Sequence, residues 1–98
     1  MDKRQEKRYK TRQLVKVCGK MGVLNDVSFK GIQISTALVP ESRQVDISFN
    51  VYGEVINLMG VIQWMKRKQT LRAPNEMGII LTDAPPEYLQ FVARFYSE

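Results

Sequence analysis

Residues 45–51 alternate strictly: Val45, Ile47, Phe49 and Val51 are apolar, and Asp46, Ser48 and Asn50 between them are polar. Successive side chains of a strand point to opposite faces, so this run has one face to bury and one to wet. A helix of period 3.6 would scatter the same residues around its circumference. The fold must therefore supply a sheet with an inside and an outside.

The rest of the chain repeats that demand. Residues 14–18 are short and β-prone, residues 19–22 supply turn chemistry, and residues 23–27 resume as a second strand, so a hairpin is expected. Ser28-Phe29-Lys30-Gly31 reads as a tight turn, and Ile32-Gln33-Ile34-Ser35 alternates as a third strand that Pro40 closes. After residues 45–51 and the turn Tyr52-Gly53-Glu54, residues 55–65 make a long fifth strand. Its set Ile56, Leu58, Ile62 and Trp64 shares a face, and Gly60 in the same set marks a bend or bulge. Residues 66–76 read as a loop and residues 77–81 as a sixth strand. Six strands with short connections predict an all-β-dominated, closed or nearly closed antiparallel barrel.

The period changes at the end. Pro85 and Pro86 stand where a helix can start without losing a needed N–H, Asp83 is close by as a cap, and Glu87 suits the positive helix end. Tyr88, Phe91, Val92 and Phe95 then follow i, i+3, i+4, i+7, so an α-helix is expected over about 86–96, packed on the barrel or plugging one mouth. Helical spacing accounts for its aromatics as core.

Ninety-eight residues support one hydrophobic core, and 44% hydrophobic content is enough to form it. No apolar run approaches the ~20 residues of a membrane span, and the charged start leads into no apolar signal segment, so a cytoplasmic protein without membrane insertion is expected. The chain has no histidine and one cysteine, Cys18, read as a small strand residue. That removes the commonest general base and metal ligand, and argues against zinc sites, Ser-His-Asp triads and Cys-His pairs. The ten carboxylates are scattered. A binding protein without catalytic residues, metal or cofactor is the expectation.

Charge is unevenly spread. Residues 1–20 hold eight Lys and Arg against Asp2 and Glu6, a net +6 in a chain whose total is +5. A basic arm over residues 1–12, exposed and mobile, thus precedes a nearly neutral barrel domain over residues 13–98, and it points to an anionic partner. Within the arm, Arg8 and Arg12 form Arg-x-x-x-Arg. At the turn after the second strand, Asp26, Ser28 and Gly31 form Asp-x-Ser-x-x-Gly. By ordinary residue usage the first pattern occurs by chance in about one such chain in four and the second in about one in twenty. Their order carries more weight than either alone.

An arginine pair before the first strand and this turn after the second resemble the PilZ family. Gly60-Val61-Ile62-Gln63-Trp64 is similar to that family's glycine, hydrophobic, tryptophan strand, and Met77-Gly78-Ile79-Ile80-Leu81 to its last strand before the helix. The resemblance covers essentially the whole chain. It implies a six-stranded PilZ-type barrel that binds the bacterial second messenger cyclic di-GMP through Arg8, Arg12, Asp26, Ser28 and Gly31. Arg4, in the overlapping pattern Arg4 to Arg8, and Lys7 would be accessory, and a basic residue before the first arginine of the pair leans towards two stacked ligands per domain.

The chemistry suits those residues. A guanidinium forks onto phosphate or onto guanine O6 and N7 and stacks on a purine face. As a carboxylate Asp26 only accepts, which fits the N1–H and N2–H donors of guanine, while Ser28 can donate to a phosphate or the base. Gly31 permits a positive φ in the turn and lets a nucleotide approach the backbone. Ligand binding is expected to fold the arm across the barrel mouth and so signal to a separate protein of a motility, secretion or polysaccharide machine. Two other readings stay open: a small basic barrel for single-stranded nucleic acid, and a PilZ-like interaction module without ligand. Against the first, Phe49 and Trp64 fall in apolar registers and the positive charge precedes the first strand; DNA is not expected as a partner.

Overall fold

The computed structural model describes residues 7–67 and 74–96, with the side chain of residue 96 outside the description. Strands β1 (Tyr9–Val17), β2 (Lys20–Val27), β3 (Gly31–Thr36), β4 (Gln44–Val51), β5 (Glu54–Lys66) and β6 (Asn75–Asp83) precede helix α1 (Pro86–Tyr96). All neighbours run antiparallel, and the strands close into a barrel in the order β1-β2-β3-β6-β5-β4. Closure gives every strand a neighbour on both sides, and the alternating strands turn their apolar sets inward. Val17, Leu24, Ile32, Ile34, Ile47, Leu58 and Met77 are among the fully buried residues.

Two hairpins rest on two-residue turns. Cys18 and Gly19 join β1 to β2 with φ of 50° and 86°, and Tyr52 and Gly53 join β4 to β5 with φ of 52° and 83°. Two consecutive positive φ values give a turn whose twist matches that of the strands it joins. Cys18 is therefore an exposed turn residue, not the strand residue expected, because β2 begins at Lys20 directly after a two-residue loop.

Helix α1 lies across the barrel end formed by the start of β1, the β2–β3 turn and the end of β4. Tyr88 and Val92 are fully buried. Phe91 meets Phe49 edge-on at 5.4 Å between ring centroids, and Phe95 stacks on Tyr9 at 5.5 Å. Each such buried aromatic or aliphatic side chain stabilises the fold by about 1.5–3 kcal/mol. Among the described residues no helix is long and apolar enough to cross a membrane.

Two departures from the sequence reading shape the outer surface. First, β1 begins at Tyr9, not near Leu14. Tyr9 pairs with Val27 and Lys10 with Asp26, and the Tyr9 ring is held by Phe95, so residues 9–12 of the expected mobile arm are strand. Second, β5 bulges. Ile62 pairs with Ile79 but Trp64 pairs with Gly78, which leaves Gln63 as the extra residue. Arg43 fastens the bulge: its carbonyl accepts from Ile62 N at 2.7 Å, and its Nε and Nη2 donate to the Ile62 carbonyl at 3.3 and 3.1 Å. One extra residue reverses the faces beyond it. Trp64 therefore lies outside the barrel, 40% exposed, although its even spacing from Ile62 predicted it inside. A register shift also falls between Met59 and Gly60, where the glycine predicted one.

Candidate functional site

The β2–β3 turn is held by its own two ends. Ser28 N and the Ser28 hydroxyl both donate to the Gly31 carbonyl, at 2.9 and 3.1 Å, and Gly31 N donates back to Ser28 Oγ at 3.1 Å. Ser28 is fully buried, so in this conformation its hydroxyl shapes the turn. Gly31 does not have the positive φ expected of it; among the described glycines only Gly19 and Gly53 do. Space is what demands glycine there. A Cβ on Gly31 would sit 2.9 Å from the Ile79 carbonyl oxygen and 3.8 Å from Arg8 Nη1.

Arg8 reaches this turn from the chain segment just before β1. Its Nε donates to Asp26 Oδ1 at 2.9 Å and its Nη2 lies 2.8 Å from the same oxygen. The two sequence patterns thus meet in space through one arginine, one carboxylate and one glycine. The backbone does this by register: Lys10 pairs with Asp26, Asp26 with Gln33, Gln33 with Gly78 and Gly78 with Trp64. These five residues form a row around the outer wall, opened by the bulges that fall between Lys10 and Gln13 and between Leu24 and Asp26.

An open groove of about 310 Å³ follows the Gln33, Gly78 and Trp64 part of that row, with Arg8, Lys30, Gly31 and Gln63 also among its lining residues. Grooves elsewhere are as large or larger, so the chemistry of the lining distinguishes this one. Arg8 and Lys30 bring positive charge to one end and the Trp64 indole stands at the other. Between them Gly31 presents backbone without a Cβ, and Gly78 does the same beneath the indole. The indole lies where a Cβ on Gly78 would be. A bare floor, an aromatic wall, two amides and a fork of N–H donors can receive a flat, polar, anionic ligand.

The other expected residues are placed differently. Arg12 is exposed on β1 within the bulge opposite Asn25 and does not line the groove. The β conformation also rules out the helical turn that four-residue spacing would have used to align it with Arg8. Lys7 is exposed at the start of the described chain, and Arg4 lies outside the described residues. Trp64, Gln33, Gln63 and Lys30 were not singled out as ligand residues from the sequence. The one available signal was a glycine in β6, Gly78, at the register where a large side chain from β5 has to cross the sheet.

Among solved structures, the fold is similar to that of the Bacillus subtilis inhibitor of motility MotI/DgrA, with a TM-score of 0.74 at 12% sequence identity. The match covers 97% of this chain and 49% of that one, so the chain spans about half the length of that protein. Likeness at this identity shows the fold alone. No family model matches the sequence and no curated protein matches it.

Proposed function

We propose that this protein is a non-enzymatic receptor for cyclic di-GMP, of the PilZ type that the sequence resembles, and that the ligand lies in the groove between Arg8 and Trp64. The observation that carries this reading is the Arg8–Asp26 pair beside Gly31, because it joins the two patterns on which the resemblance rests. Arg8, its edge held by Asp26, presents a planar cation to a guanine face or a phosphate. A carboxylate has acceptor capacity beyond one arginine, which Asp26 offers to guanine N1–H and N2–H. Gly31 admits a base close to the backbone, Trp64, seated on Gly78, offers the outer face of its indole for stacking, and Lys30 meets a phosphate.

Arg12 and the accessory Lys7 and Arg4 join from the chain before and within β1, and Ser28 acts through the turn it closes. No cofactor or metal enters this reading. The likeness to a motility inhibitor supports a signal passed to a separate protein partner, of motility, secretion or polysaccharide machinery, in the cytoplasm.

One observation favours a second reading. Trp64 faces outward beside cations, which is how barrels bind single-stranded nucleic acid. Calorimetry separates the two: cyclic di-GMP should bind with a stoichiometry of one or two, and GMP and a single-stranded oligonucleotide should bind far more weakly. Heat from the oligonucleotide and none from cyclic di-GMP would give the site to nucleic acid.

A further inference from the structure

The wall opposite the groove carries a second feature, independent of cyclic di-GMP. Here the barrel is closed by β1 and β4, which pair only at Lys16 with Ser48 and Val17 with Ile47. Strands β4 and β5, by contrast, pair from Gln44 with Val61 through to Val51 with Glu54. Past Lys16 the seam opens, and the Gln13 side-chain amide spans it, donating to the carbonyls of Leu14 at 3.2 Å and Asn50 at 3.1 Å. Leu14, Met21 and Val55 line this seam and are 60%, 57% and 59% exposed. Scattered apolar surface residues are ordinary, but three on one shallow groove form a patch that the barrel's own core does not require.

The charges beside the patch are divided. Lys16 and Lys20 lie on the β1–β2 side, and Asp46 and Glu54 on the β4–β5 side, all four exposed. A twofold contact needs a surface complementary to itself, with each half meeting the other half of a second copy. An apolar centre between a basic half and an acidic half has that property.

We propose that the β1–β4 seam is a self-association surface on which two copies of this chain pack about a twofold axis running along the strands. Leu14 and Val55 flank Asn50, with which Val55 is in register on β4–β5, at about one height on opposite sides of the seam. The rotation therefore sets Leu14 of each copy against the partner's Val55 and the Lys16 side against the partner's Asp46 and Glu54 side. Both ligand grooves remain on the outer walls of the pair. The patch is small, so the association is weak and reversible.

Sedimentation of ligand-free protein from about 1 μM to about 1 mM tests this. The parent should pass from monomer to dimer. Leu14→Glu and Val55→Lys should each lower the association constant at least about tenfold, equivalent to about 1.4 kcal/mol, with unchanged circular dichroism. The double variant Leu14→Glu/Val55→Lys should regain most of it, because the two altered positions face each other across the axis. Val39→Glu, at a residue 53% exposed in the β3–β4 connection, should associate like the parent. A parent that stays monomeric throughout would overturn the proposal and give the face to some other protein. So would single variants that associate normally, a double variant no better than the singles, or a Val39→Glu loss equal to theirs.

Discussion

The Tyr88 hydroxyl donates to the Ser28 carbonyl at 2.6 Å, in a contact buried from solvent. Helix α1 is thereby bonded to the first residue of the turn whose last residue, Gly31, floors the proposed ligand groove. Tyr9, which follows Arg8, stacks on Phe95 of the same helix. Both segments that supply the groove's charged end are therefore anchored to α1. Replacing Tyr88 by Phe keeps the ring in the core and removes a donor from a buried carbonyl, which should cost about 1–3 kcal/mol. Denaturant unfolding should show a lower midpoint with an unchanged slope.

Arg8 is expected to matter to the ligand more than to the fold. Its side chain is 37% exposed and Asp26's is 13%, and a partly exposed ion pair contributes about 0–1 kcal/mol of stability. Calorimetry on Arg8→Ala should show a loss of several kcal/mol in cyclic di-GMP affinity, with little rescue by Arg8→Lys, because an ammonium lacks the planar fork. Arg12→Ala should also weaken binding. If both alanine variants bind like the parent, the site assignment is wrong.

Asp26→Ala tests whether the turn serves binding or merely folding. The variant should melt close to the parent and bind cyclic di-GMP at least about tenfold more weakly, or about 1.4 kcal/mol. A drop in melting temperature matched to the drop in affinity would instead mean that Asp26 only builds the turn.

Gly31→Val should impair both properties, for a steric reason. Its Cβ would press on the Ile79 carbonyl at 2.9 Å, so β3 and β6 would have to part, at a cost of about 1–3 kcal/mol. Gly31→Ala should show the same effect more mildly. Thermal unfolding of the pair gives the order parent, Ala, Val.

Trp64 is the only tryptophan in the chain and lines the groove, so intrinsic fluorescence reports the site directly. Cyclic di-GMP should change its emission in a saturable titration. Gly78→Ala should shift the emission without ligand, because the new methyl would occupy the position of the indole. An emission unaltered at a ligand concentration that calorimetry shows to be saturating would remove Trp64 from the site.

Amide exchange can divide the arm. Residues 9–12 are paired or flanked by pairing in β1 and should be protected before any ligand is added, which would confine ligand-induced ordering to the chain ahead of Tyr9. Equal, rapid exchange across residues 9–12 in the free protein would restore the longer mobile arm.

Much of this molecule is written in short-range pattern. Alternation from Val45 to Val51 specifies a half-buried strand because strand side chains alternate by geometry, and the spacing of Tyr88, Phe91, Val92 and Phe95 specifies α1, observed at Pro86–Tyr96, because helical geometry repeats every 3.6 residues. The six strands and the barrel follow from such local signals. What pattern could not settle is whatever depends on which strands meet and in what register. Trp64 reads as core from its parity with Ile62, and the Gln63 bulge, held by Arg43 from the connection just before β4, turns it outward. Arg12 reads as the companion of Arg8, yet β1 starts early, with Tyr9 stacked on Phe95 at the far end of the chain, and of the two arginines Arg8 is the one that reaches Asp26. Gly31 reads as a conformational requirement and is a spatial one, set by the Ile79 carbonyl of a strand distant in sequence. A single inserted residue reverses the face of everything beyond it, and one distant aromatic contact holds a strand that local pattern does not announce, so those placements belong to the closed barrel.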